Sequence, residues 1–132
     1  MAGLLLITHD HVGETMLAMA IEMLGKCPLT ARCLEVKTDE EPSDLLLEAR
    51  NMVLGFENDD VIVLTDIFGS TPSNIAVRLV QEFDNLILIA GLNLPMLIRL
   101  LNYADQTTSV LVEKAISGGR DGIFVFKPGH DV

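Results

Sequence analysis

The chain has 132 residues, about the size of one domain, and 1–132 is read as a single domain. Nine Lys and Arg against nineteen Asp and Glu leave a net charge of −10, which argues against a nucleic-acid partner because phosphate affinity needs basic patches. With 49% hydrophobic residues, no Trp, one Tyr and five Phe, the chain is too apolar for disorder and must build a mainly aliphatic core.

Leu4–Thr8 reads as a short buried strand. No basic segment precedes it, and it is too short for the apolar centre of a signal peptide. No stretch approaches the roughly 20 apolar residues of a membrane span. A cytoplasmic protein without direct membrane insertion is therefore expected. Cys27 and Cys33 are then expected to be reduced, and they lack a CxxC spacing.

Gly13–Gly25 carries Met16, Leu17, Ala20, Ile21 and Leu24 at helical spacing. Ala31–Lys37 reads as a less apolar strand, nearer a sheet edge. Pro42–Phe56 reads as a helix with Pro42 in its first turn. Asp60–Thr65 is a third strand. Thr71–Phe83 is a helix with Thr71 as N-cap and Pro72 first inside it. Leu86–Ala90 is a fourth strand. Pro95–Tyr103 and Thr108–Ser117 are helices, the second stopping at Gly118 and Gly119. Gly122–Phe126 is a last strand. This βαβαβαβααβ order, with continuously apolar strands, predicts an α/β fold: an open, doubly wound, mostly parallel sheet with helices on both faces.

In such a sheet, ligands bind beyond the carboxyl ends of the strands. Those ends supply Thr8, His9, Asp10 and His11, then Asp66 through Pro72, then Gly91 through Leu94. The first and third strands are neighbours in the usual order, so His9 and Asp66 can meet. Gly69, Ser70, Thr71 and Ser73 lead into a helix N-terminus, where free N–H groups and hydroxyls favour an anion such as phosphate. A nucleophilic histidine, an orienting aspartate and an anion nest together suggest phosphoryl transfer through histidine.

The same residues carry a resemblance. The strand ending Ile7-Thr8-His9, the stretch Thr65-Asp66-Ile67-Phe68-Gly69-Ser70-Thr71-Pro72-Ser73-Asn74, the stretch Ala90-Gly91-Leu92-Asn93-Leu94-Pro95-Met96-Leu97 and the stretch Gly118-Gly119-Arg120-Asp121-Gly122 together resemble the mannose-family IIA component of the sugar phosphotransferase system. The resemblance implies that His9 is phosphorylated by the phosphocarrier protein HPr and passes the group to a IIB component. It implies that Asp66 bonds the ring nitrogen that is not phosphorylated. It also implies a homodimer in which the last strand is exchanged. Two positions depart from the pattern: Asp10 and Ser70 stand where the family commonly has glycine.

Other readings of these residues are blander. His11, one residue beyond the motif, reads as a bystander, and His130 as part of a disordered tail. Asn93 serves either the site loop or only its own backbone. Arg78, Arg99 and Arg120 read as surface or structural charges. A receiver-like domain phosphorylated on Asp66 lacks the acidic pair it needs after the first strand. A metal site from His9, Asp10, His11 and Asp66 lacks a further clear ligand, so no metal or cofactor is expected. A regulatory phosphohistidine switch without sugar transport is the alternative use of the same chemistry.

Overall fold

The computed structural model describes residues 1–129; His130 lies outside them. The continuous apolar runs become the strands β1 (Gly3–His9), β2 (Ala31–Val36), β3 (Val61–Thr65) and β4 (Leu86–Ala90). All three pairings are parallel, in the order β2-β1-β3-β4. Between and after them run α1 (Val12–Leu24), α2 (Pro42–Leu54), α3 (Thr71–Glu82), α4 (Leu94–Asn102) and α5 (Thr108–Asp121).

Alternation along the strands splits the core in two. Leu4, Leu6, Ile62 and Leu64 share one cluster with Ala20 of α1, Leu97 of α4 and Leu111 of α5. Leu5, Ile7, Val61 and Val63 share the other with Leu45 of α2 and Leu79 of α3. Both faces of β1 and β3 are thus covered, which is why these strands have no polar alternation. Leu4 through Ile7 are each 0% exposed, a burial that contributes about 1.5–3 kcal/mol per side chain. No helix among the described residues is long and apolar enough to cross a membrane.

Most element ends fall within two residues of expectation, and two features at the C-terminal end differ. Helix α5 does not stop at Gly118 and Gly119 but continues to Asp121. A Cβ at Gly118 would lie 2.6 Å from the Cβ of Arg99, and one at Gly122 would lie 2.3 Å from that of Pro95. These glycines let α4 and α5 approach closely, which at Gly118 outweighs a helix penalty of about 1 kcal/mol.

The second difference is Gly122–Phe126, expected as a strand. In the single chain it pairs with none of the four. Ile123, Phe124, Val125 and Phe126 are 76%, 67%, 74% and 75% exposed. A β-prone sequence becomes a strand only where a free edge receives its N–H and C=O groups, and this segment does not lie along one in its own subunit. Close by, the free edge of β4 borders a groove of about 430 Å³ lined by Ile87, Ile89, Met96, Ile116 and Ile123 among others.

Candidate functional site at the carboxyl ends of β1 and β3

The parallel register places Ile7 opposite Thr65, so the residues that leave β1 and β3 emerge side by side. Asp66 follows directly, and its carboxylate turns back to His9. Oδ2 lies 2.8 Å from His9 Nδ1 and accepts the His9 backbone N–H at 3.1 Å. Oδ1 accepts the Ile67 N–H at 3.1 Å. An ionised carboxylate only accepts hydrogen bonds, so Nδ1 must carry the proton. The lone pair is left on Nε2, on a ring whose side chain is 44% exposed. Partial burial pushes the Asp66 carboxyl up, but the hydrogen bonds from the His9 ring and backbone more than offset it. The group is held below its ordinary value, as a carboxylate.

Thr8 anchors the other side of this loop. Its buried hydroxyl accepts the Gly13 N–H at 2.8 Å, satisfying one of the leading donors of α1. A Cβ at Gly13 would lie 2.9 Å from that oxygen, so the start of α1 sits against the end of β1 only without a side chain there.

The loop from Asp66 to Ser73 is shaped by its own polar groups. Ser73 is buried; its Oγ accepts the N–H groups of Gly69 (2.8 Å) and Ser70 (3.0 Å) and donates to the Ser70 carbonyl (2.9 Å). The Ser70 hydroxyl donates to the Ile67 carbonyl at 3.0 Å. Ser70 is the N-cap of α3, one residue earlier than the sequence suggests, and Thr71 begins the helix, exposed. Of the four residues expected to cradle an anion, Ser73 and Ser70 thus have their hydroxyls engaged in holding the turn. Gly69 has φ +92, and a Cβ there would meet nothing within 4 Å; its backbone angle, not a close approach, calls for glycine.

The two departures from glycine behave differently. Ser70 has φ −115 and ψ 175, extended backbone open to any residue. Asp10 has φ +44, in the left-handed region that glycine tolerates best and aspartate better than most. The backbone therefore turns at Asp10, and its N–H bonds the Val36 carbonyl at 2.9 Å. The turn sends the rings of His9 and His11 to different carboxylates. His11 Nδ1 lies 2.9 Å from Glu35 Oε1, and its Nε2 lies 3.2 Å from Asp10 Oδ1. Hydrogen bonding to Glu35, then the charges of Glu35 and Asp10, raise the His11 pKa.

Ligand atoms of Asp10, His11 and Glu35 lie within 4.8 Å of one another, a grouping that differs from the set of His9, Asp10, His11 and Asp66 set aside above. Both imidazole nitrogens of His11 already face the two carboxylates. Neither Glu35 nor its neighbour Glu14 is singled out by the sequence. No local motif signals them; the pairing of β2 with β1, which sets Glu35 opposite Thr8, brings Glu35 to the site.

Asn93 proves to be an anchor between helices. Its side chain accepts the Met96 N–H at 2.9 Å as the N-cap of α4 and donates to the Gly119 carbonyl at 3.1 Å. Arg99 pairs with Asp121 at 2.9 Å and Arg78 reaches Glu82 only at 4.0 Å. Neither of these pairs involves His9 or Asp66. Beside the latter pair, Ile67 and Phe68 are 58% and 69% exposed, so the site is rimmed by an apolar surface as well as by acids.

Comparison with known proteins identifies the family and the fold. Residues 3–116 match the EIIA-man family, described as the PTS system fructose IIA component. The chain is 32% identical over 124 residues to the mannose-specific EIIAB component of the PTS system from Escherichia coli (strain K12), covering 91% of this chain and 38% of that protein. It thus spans about two fifths of the length of that curated relative. The fold is that of the mannose/sorbose-specific IIA subunit from Enterococcus faecalis (TM-score 0.85, 20% identity, 99% and 98% of the two chains). The PTS IIA protein associated with the fucose utilization operon of Streptococcus pneumoniae is also similar (TM-score 0.81, 26% identity, 95% and 96%).

Proposed function

The chain belongs to the EIIA-man family of phosphotransferase-system IIA components, and from that premise we propose that it carries a phosphoryl group on Nε2 of His9. The observation that supports this most directly is the 2.8 Å contact between His9 Nδ1 and Asp66 Oδ2, which leaves Nε2 as the nucleophile. The donor is phosphorylated HPr. The Nε2 lone pair attacks phosphorus, the donor's P–N bond breaks with its electrons returning to the donor imidazole, and a new P–N bond forms on His9. Asp66 keeps the Nδ1 proton and stabilises the positive charge that grows on the ring. The reverse exchange with a IIB component returns His9 to its free state. These partners would place the protein in the cytoplasm.

His9 stands on an open surface, with exposed Ile67 and Phe68 beside it, rather than at the bottom of a cavity. That suits a macromolecular donor and acceptor more than a small substrate. Thr71, exposed in the first turn of α3, is the proposed hydroxyl donor to the phosphoryl group, with the helix N-terminus behind it. Incubation with phosphorylated HPr should label the protein through an acid-labile, base-stable bond. His9→Ala should abolish the label and His11→Ala should retain most of it. Label that survives His9→Ala sinks the assignment, and a base-labile bond would point to Asp66 instead.

The same proposal includes a homodimer. The exposed segment 122–126 would pair with the free β4 edge of a second copy, covering both apolar surfaces with one two-fold exchange. Light scattering at micromolar concentration should give the mass of two chains, and a chain ending after Gly122 should give a monomer or aggregate. A monodisperse full-length monomer excludes the exchange.

A further inference from the structure

We infer that His11 is a positioning residue that holds Asp10 in an ion pair, offsetting part of its charge, so that an acid can stand directly beside the histidine that accepts the phosphoryl group. The inference rests on the carrier role proposed for His9. A phosphoryl group brings negative charge, and a carboxylate on the next residue opposes its arrival. The backbone at Asp10, with φ +44 and its N–H held by Val36, leaves the carboxylate 3.2 Å from His11 Nε2. The other nitrogen of the ring lies 2.9 Å from Glu35 on β2, which ties the ring to the sheet. The Glu35 contact is a hydrogen bond and the Asp10 contact an ion pair, and the ion pair requires the imidazolium form.

The charged groups around His11 are Asp10, Glu35 and Glu14, with Lys37 opposing them. Three acids against one lysine favour the protonated ring, in keeping with its raised pKa. As pH rises through that raised value the imidazolium is lost, Asp10 is left uncompensated and phosphoryl acceptance by His9 slows.

The test compares wild type, His11→Ala, Asp10→Asn and the double variant. The readout is the rate of His9 phosphorylation by phosphorylated HPr and, separately, by phosphoramidate. His11→Ala should slow both reactions about threefold to fivefold at low salt, the range of an exposed ion pair, and less at high salt. In the Asp10→Asn background the same change should have an effect within about twofold. Equal slowing in both backgrounds overturns the inference while leaving the carrier reading intact. Label from phosphoramidate alone overturns the HPr step and not the pair. Label from neither donor overturns both. Independently of transfer, the His11 ring followed by NMR should titrate at lower pH in Asp10→Asn; an unchanged titration also overturns the pairing.

Discussion

Two histidine–carboxylate contacts lie within three residues of each other and have nearly equal lengths. His9 Nδ1 meets Asp66 at 2.8 Å and His11 Nδ1 meets Glu35 at 2.9 Å. Their surroundings differ. The Asp66 side chain is 15% exposed and is fixed by the His9 backbone and the Ile67 N–H as well as by the ring. His11 is 64% exposed and lies between Asp10, which is largely in water, and Glu35, which is 26% exposed. The first arrangement fixes one tautomer and presents one nitrogen; the second offsets part of the negative charge and presents none. A short contact therefore does not identify a reactive histidine. What does is whether the second nitrogen remains open and whether the partner is itself held still.

Breaking the buried side of this comparison should have the largest effect. Asp66→Asn removes the acceptor that dictates the tautomer and should slow His9 phosphorylation by about 10²-fold or more, with the circular dichroism spectrum unchanged. Transfer within a few-fold of wild type would reduce Asp66 to a turn residue. Next comes the anchor just before the two histidines. Thr8→Val leaves the Gly13 N–H without its buried acceptor and should cost about 1–3 kcal/mol in urea unfolding. A cost near zero would show that water replaces the hydroxyl.

A smaller effect concerns pH. Because the Asp66 pKa is lowered in the folded state, its contribution to stability is complete above the ordinary carboxylate value of 3.8. That contribution disappears as pH falls through the depressed folded value. Asp66→Asn should flatten that part of the acid limb of the unfolding midpoint against pH; an unchanged limb would mean other carboxylates carry it. The smallest effect is expected on the exposed side, where His11→Ala should leave the thermal midpoint at neutral pH unmoved.

The strand runs, the helix spacings and the loops that follow β1 and β3 were legible in the chain because each depends on local pattern. His9 and Asp66 could be paired in advance because parallel order brings the ends of the first and third strands together. Glu35 was not legible. It lies in an ordinary edge strand, and only the register of β2 against β1 sets it beside His11. Asn93 was placed near the right loop with an open role, and Ser73 was expected in the anion nest, whereas its hydroxyl holds the turn. Whether a side chain faces a ligand or a neighbouring backbone depends on which donors surround it. The glycines at 118 and 119 misled for a similar reason: a glycine that permits close helix packing and one that ends a helix look alike in one dimension.

The sequence by itself determined a parallel sheet covered on both faces, a histidine and an aspartate at adjacent strand ends, and a helix N-terminus beside them. Periodicity and strand order are properties of the chain read along its length. The tertiary structure decided the rest. It set the turn at Asp10 that parts the two histidines, the carboxylate that leaves Nε2 of His9 open, the close α4–α5 contact, and the exposure of residues 123–126. Each of these depends on groups far apart in the chain meeting at ångström distances. Such distances follow from packing, which side-chain volumes and strand register fix only once the whole core has formed.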